Sequence, residues 1–362
     1  MSAATQGESF VADLAPRSRI AVFRALQLGD MLCAVPALRA LRTALPQAHI
    51  ALVGLPWARA FVERFNSYLD ESISFPGWPG LPESPCDVTA LPAFVAAMQA
   101  RRFDAVIQLH GAGTLTNPLT ALFGARRHAG FYRPGEWCPA PQGFVPFPAA
   151  GRESERLLAL TDHLGAPGRD SLEFPLTEGD TREAAALVRA NDIDAARLVI
   201  IHVGARGRTR RWGAARFAAV IDALAQHGFE IALTGAASER ALVDEAVRLT
   251  RARVRNLCGA TSLGGLAALL QRARLLICND TGVSHIAAAL RVPSVVVVTG
   301  SDPARWAPGD SRRHRVVAHA VSCRPCGYER CAHDFACAAG VTPDQVIDTA
   351  VGLMHEVNSH AA

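Results

Sequence analysis

The chain contains no lysine: each of its 37 basic residues is arginine. That absence removes Schiff-base chemistry, a Walker-type phosphate-loop lysine and a kinase-type lysine from the reactions available to it. Long apolar runs are also missing. No window reaches the roughly 18 to 20 apolar residues that a membrane span needs, and the opening MSAATQGESFVADLAPRS has no apolar stretch of secretory-signal length. A cytoplasmic location is the expectation. The net charge of +4 is too small to imply nucleic acid, although it suits phosphorylated ligands or contact with an anionic membrane surface.

With 362 residues, 50% of them hydrophobic, the chain is long enough for about two or three domains with sizeable cores. From Arg19 onward, short β-rich runs alternate with segments of helical period. The first half reads as strand RIAVFRA, loop LQLGD, helix MLCAVPALRALRTAL and strand HIALVG, then helix LPAFVAAMQARR and strand FDAVIQLH. Such alternation predicts parallel βαβ units with helices on both faces of a sheet. A Pro, Gly and acid-rich passage at 165–183, GAPGRDSLEFPLTEGDTRE, interrupts it as an interdomain linker would. The pattern restarts with strand RLVIIHVGA and helix AARFAAVIDALAQHG, where Phe217, Val220, Ile221 and Leu224 repeat with helical spacing and Gly228 marks the end. Strands EIALTG, RLLICND and SVVVVTG complete two Rossmann-like halves. The expected divisions are a tail at 1–17, domains at 18–170 and 171–350, and a tail at 351–362. Ligands of such sheets sit in a crevice at the carboxyl ends of the strands.

Four strand-to-helix junctions carry more polarity than a turn requires. In LLICNDTGVSHIAAAL, at 275–290, an apolar strand breaks into Asn279, Asp280, Thr281 and Gly282 directly before an apolar helix with Ser284 and His285 in its first turn. Thr281 and Gly282 offer a hydroxyl and unobstructed N–H groups to an anion, and Asp280 can accept from sugar hydroxyls. His285, read alone, fits a satisfied core histidine better than a ligand contact. In HVGARGRTRRWGAARF, Gly204 and Gly207 loosen the loop, and Arg206, Arg208, Arg210 and Arg211 crowd the approach to a helix. Backbone donors, helix dipole and guanidinium forks together make a phosphate site there; a solvated basic face is the alternative. In LTGAASERAL, Ser238 is the expected N-cap, and Glu239 either matches the helix dipole or accepts from ribose hydroxyls. In LQLGDMLCAVPAL, Gly29 permits a tight turn and Asp30 stands at a helix start, either as a cap or as a general base. LHGAGTLTN, at 109–117, begins a dinucleotide fingerprint with Gly111 and Gly113, but Thr116 stands where Gly or Ala is wanted, which counts against NAD.

Taken in order, LGDMLCAVPALRALR, HVGARGRTRRW, LTGAASE and above all NDTGVSHIAAAL resemble glycosyltransferase family nine, the ADP-heptose:lipopolysaccharide heptosyltransferases, over roughly residues 18–350. The resemblance implies an α/β protein of GT-B fold, two Rossmann-like domains facing a central crevice, with the acceptor on the N-terminal side and the nucleotide sugar on the C-terminal side. It implies inverting, metal-independent transfer of heptose from ADP-heptose to a lipopolysaccharide core acceptor, with peripheral contact at the cytoplasmic face of the inner membrane. Asp30 matches the base that takes the acceptor proton and Glu239 the ribose-contacting acid, while Gly204, Arg210, Asp280, Thr281, Gly282 and His285 match donor and phosphate contacts. Two departures stand out. Gly204 and Ala205 lack the hydroxyls that some members carry there, and Arg210 replaces a common lysine, keeping the charge and adding a bidentate fork. Rival readings are protein O-heptosylation or another nucleotide sugar on the same scaffold and, from another class, a non-catalytic sugar-nucleotide-binding protein.

Nine cysteines in a chain read as cytoplasmic argue against a disulfide framework. Cys323, Cys326, Cys331 and Cys337 form C-x2-C-x4-C-x5-C with His333 inside. Four thiolates could close a tetrahedral Zn or Fe site, and the first pair has metal-knuckle spacing, but the later spacings fit no zinc motif well. The two readings are a structural metal and reduced thiols in a compact loop. No cofactor is expected for catalysis.

Overall fold

The structure, a computed structural model, describes residues 9–359 except 327, 329 and 330. The chain divides into two compact units, Met1–Ser171 and Leu172–Ala362. Among the described residues no helix is long and apolar enough to cross a membrane.

The first unit runs β1 (Arg19–Phe23), α1 (Leu28–Ala44), β2 (His49–Gly54), α2 (Ala58–Arg64), β3 (Glu71–Ser74), α3 (Leu91–Ala100), β4 (Ala105–Gln108), α4 (Thr116–Ala121), β5 (Arg127–Tyr132), β6 (Phe144–Pro146) and α5 (Glu153–His163). Its six strands are parallel in the order β3-β2-β1-β4-β5-β6. Ala21 of the central strand pairs with Ala51 of β2 on one side and Val106 of β4 on the other. Parallel strands covered on both faces read as continuous apolar runs, and Ile20 to Phe23 are fully buried. Phe23 anchors one face, with the ring of Phe75 edge-on at 5.1 Å and that of Phe123 at 6.2 Å. On the other face α1 packs along α5. Residues 9–17 do not form a loose tail: Phe10 and Val11 are buried, and the Val11 N–H donates to the Leu164 carbonyl at 3.0 Å. The expected tail at 1–17 is corrected to that extent, and residues 1–8 lie outside the described residues.

The second unit runs α6 (Glu178–Ala190), β7 (Leu198–His202), α7 (Ala214–Gln226), β8 (Glu230–Thr234), α8 (Arg240–Leu249), β9 (Val254–Asn256), α9 (Leu263–Arg272), β10 (Leu275–Asn279), α10 (Gly282–Ala289), β11 (Ser294–Val298), α11 (Pro303–Trp306), β12 (His314–Ala318), α12 (Ala336–Ala339) and α13 (Pro343–Ser359). Its strand order is β12-β11-β10-β7-β8-β9, again all parallel. The predicted helical stripe holds, because Phe217, Val220, Ile221 and Leu224 are all fully buried.

Two expectations change here. The linker read over 165–183 ends sooner, because Thr177 and Asp180 form a reciprocal capping box that starts α6 at Glu178. A tail from 351 is not found either: α13 continues to Ser359. Val346, Ala350, Leu353 and Met354 keep a helical spacing and are buried in the second core.

Each sheet has the doubly wound order in which the first strand of the unit is central and successive strands are added to either side. The order reverses between β1 and β4 in the first unit and between β7 and β10 in the second. Ligands of open α/β sheets bind at the carboxyl ends of such strand pairs.

Candidate active site

The arginine loop follows β7 and the Asn279–Gly282 loop follows β10, so both lie at the switch point of the second sheet. A single buried amide joins them. Asn279, with no exposure, accepts from the Trp212 N–H at 3.0 Å and donates through Nδ2 to the Val203 carbonyl at 2.8 Å. Trp212, fully buried, donates through Nε1 to the Val341 carbonyl at 2.9 Å. These bonds fix both ends of the arginine loop, and Thr299 adds a third point by donating to the Thr209 carbonyl at 2.8 Å.

Between those anchors Gly207, at φ 84°, leads into a 3₁₀ turn over Arg208–Arg210. The four arginines do not share one role. Arg211 is turned back, its Nε donating to the Ala205 carbonyl at 3.0 Å, and Arg208 lies over the Phe335 ring at 5.5 Å. Arg210 is exposed on the turn, where its guanidinium can meet an anion.

In the neighbouring loop Asp280 is buried and accepts a short hydrogen bond from the Ser301 hydroxyl. Thr281, extended at φ −154°, is the N-cap of α10; the Ser284 N–H closes back on its carbonyl at 2.9 Å, and the N–H groups of Gly282 and Val283 are the main-chain donors at the helix start. Ser284 donates to the Thr281 carbonyl at 2.7 Å. His285 is buried in the first turn of α10, with Trp306 edge-on at 6.4 Å.

Glu239 comes to the same edge from the end of β8. Ser238 does not cap the helix as expected: it is exposed inside a 3₁₀ turn over Ala237–Glu239, and Glu239 itself reaches back to accept from the Ala236 N–H at 2.8 Å. Its carboxylate occupies the space beside Gly204, where an added Cβ would collide with it. His202, the last residue of β7, stands at 3.6 Å from the same carboxylate and shares a 3.1 Å hydrogen bond with Thr234. Burial holds the imidazole below its ordinary pKa, with Glu239 opposing, so at neutral pH the ring is uncharged. The second unit thus assembles Gly204, Glu239, Asp280, Thr281, Gly282 and His285 along one sheet edge, with Arg210 on the turn above β7.

Asp30 belongs to the first unit, at the third residue of α1 after β1. It is half-buried, and Arg24 engages its main-chain carbonyl and not its carboxylate. Beyond β4, His110 is buried and stacks on Phe23 at 5.4 Å. Its Nδ1 accepts from the Ala25 N–H at 3.3 Å, which places the proton on Nε2, 3.5 Å from Glu83. Sequence reasoning missed Arg24, His110 and Glu83 as well as Asn279, His202 and Ser301 as site-builders. A charge closing the apolar run IAVF was the available signal for Arg24. The GAGT segment is no dinucleotide turn: Thr116 is buried, accepting from Gln108 at 2.7 Å, and an added Cβ at Gly113 would meet the Phe131 carbonyl.

Cys323, Cys326, Cys331 and Cys337 line a cavity of about 10 Å³ with His333 and Phe335. Cys331 accepts from the N–H groups of His333 and Phe335, at 3.3 and 3.2 Å, and burial pushes the Cys337 thiol up. Among the described residues no group of three or more His, Cys, Asp or Glu is arranged to hold a metal ion. As arranged, the four cysteines are free thiols around this small cavity.

Three comparisons bear on identity. Over 113 residues the chain is 35% identical to lipopolysaccharide heptosyltransferase 3 of Escherichia coli strain K12, a stretch that covers 30% of this chain and 33% of that relative. Curated relatives are matched over a third to about half of their own length. The crystal structure of a family 9 glycosyl transferase from Veillonella parvula DSM 2008 superposes with a TM-score of 0.77 at 24% identity, covering 95% of this chain and 99% of that one. E. coli ADP-heptose lipopolysaccharide heptosyltransferase II gives a TM-score of 0.70 at 20% identity, covering 94% and 99%. These likenesses show the fold, the α/β GT-B class of two Rossmann-like units. The model of glycosyltransferase family 9 (heptosyltransferase) matches residues 153–336, half of the chain, from α5 through the arginine, Glu239 and Asp280 loops. The chain belongs to glycosyltransferase family 9, the heptosyltransferase family.

Proposed function

We propose that the chain is an inverting heptosyltransferase that moves a heptose from ADP-heptose to a lipopolysaccharide core acceptor, at the cytoplasmic face of the inner membrane. The observation that carries this reading is the placing of every candidate loop at a strand carboxyl end, most of them flanking a switch point. ADP-heptose is taken from the name of the E. coli enzyme of similar fold.

Inversion needs a base and a leaving group on opposite faces of the anomeric carbon, as in inverting glycosidases. The first unit supplies Asp30, whose carboxylate takes the proton from the acceptor hydroxyl as its oxygen attacks. The second supplies contacts for the departing diphosphate. Arg210 and the N–H groups after Thr281 meet the charge that develops on the phosphate as the glycosidic bond breaks. Glu239 and Asp280 are acceptors for ribose and sugar hydroxyls, and His285 closes the same edge.

Thermal unfolding with ADP, UDP, GDP and NAD at equal millimolar concentration tests the donor, because a ligand bound only by the folded state raises the midpoint according to its concentration over its dissociation constant. Selective stabilisation by ADP is expected, followed by ADP release from ADP-heptose when acceptor lipopolysaccharide is added. Preference for UDP or GDP would discard heptose, and a response to NAD alone would overturn the assignment.

A further inference from the structure

The first sheet carries a charge where a buried strand end has no ordinary use for one. Arg24 follows β1 directly with 1% exposure, and its Nη2 lies 3.1 Å from Oε1 of Glu153, the first residue of α5, which is 2% exposed. A buried ion pair is a weak source of stability, since desolvating two ions offsets most of their attraction and an apolar pair often does as well. The other bonds show what the guanidinium does. Nε and Nη2 donate to the main-chain carbonyl of Asp30 at 3.0 and 2.8 Å, and Nη1 donates to the carbonyl of Leu109, the residue before His110. One rigid fork therefore ties the first turn of α1, the end of β4 and the start of α5 together at the switch point.

We propose that Arg24, anchored by Glu153, is a positioning residue for proton transfer: it locks the main chain at Asp30 so that the carboxylate meets the acceptor hydroxyl at a fixed angle. This role depends on Asp30 being the base. Arginine is required because its planar donors reach two carbonyls and a carboxylate at once, whereas a lysine ammonium keeps the charge without the fork.

Full-length wild type, Arg24→Lys, Glu153→Gln and Asp30→Asn are compared by steady-state ADP release, using ADP-heptose with lipopolysaccharide from a strain lacking core heptose. ADP affinity by calorimetry and the unfolding midpoint are measured alongside. Arg24→Lys is expected to lose about ten- to a hundredfold in kcat, the size of effect that an ångström-scale misplacement produces, while donor KM and ADP affinity stay within about twofold. Glu153→Gln, which keeps an oxygen facing Arg24, should lose less. An Arg24→Lys enzyme with wild-type kcat, or one whose kcat falls only in step with ADP affinity and folding, would overturn the role. If Arg24→Lys fails to fold, Glu153→Gln decides: lowered kcat with intact ADP binding supports the role, and unchanged kcat rejects it. Wild-type turnover by Asp30→Asn would remove the base assignment itself, whereas an inactive Asp30→Asn beside a fully active Arg24→Lys would remove only the positioning role.

Discussion

At the carboxyl edge of the first sheet the polar groups are bonded to one another, whereas at the edge of the second sheet main-chain donors and an arginine are left facing outward. Gln108 donates to Thr116 and Asn117, Asn117 donates to the Phe131 carbonyl, and Arg24 spans three segments, so little besides Asp30 is offered to a ligand from that group. In the second unit the internal bonds of Asn279 and Trp212 hold the arginine loop, and Arg210 on that loop and the Gly282 and Val283 N–H groups of α10 remain available. On the proposed assignment, the same strand order supports a stiff mount for the base in one unit and an anion cradle in the other.

Replacing the mounted group should break this contrast most sharply. Asp30→Asn is expected to lower kcat by about 10²–10⁴-fold while ADP affinity measured by calorimetry holds. An equal loss of both would mean that the two edges do not divide the work.

The pH dependence of folding probes the second unit next. Burial brings His314 down to about 4 from an ordinary value of 6.5, and Ser294 shares a 2.8 Å hydrogen bond with it. With the folded pKa depressed, the unfolded chain binds the proton first as pH falls. The contribution is complete above pH 6.5 and is lost on descending to about 4, a depression worth roughly 3 kcal/mol at most. Urea titrations should show that slope, steepened by His202, and His314→Gln should flatten it.

Smaller still is the expected cost of Asn279→Ala, about 1–3 kcal/mol by urea denaturation, from the Trp212 N–H and Val203 carbonyl left without their partner. The mildest change is Arg210→Gln. It removes one charge-assisted contact and should raise donor KM about tenfold with little change in stability, and Arg210→Lys should recover part of that.

The two edges also differ in how plainly they are written in the chain. Arg206 to Arg211 and Asn279 to His285 are contiguous, so their chemistry can be read locally, and the family model covers the same loops from residue 153 onward. The first edge draws on positions 24, 83, 108, 110, 117 and 153, which only the strand order brings together. Asp30 was legible beside Gly29; the fork that holds it was not. In the second unit, Ser301 lies 21 positions from Asp280, and nothing near either residue announces their bond. The box from Thr177 to Asp180 and the continuing period of Val346, Ala350, Leu353 and Met354 were local signals, masked by the Pro and Gly before the first and by proximity to the chain end in the second.

Gly204 carries a consequence for the order in which this loop can change. The Glu239 carboxylate fills the place of a side chain at 204, so any side chain there and the present seat of Glu239 exclude one another. A designer who places a serine at 204 must relocate Glu239 first.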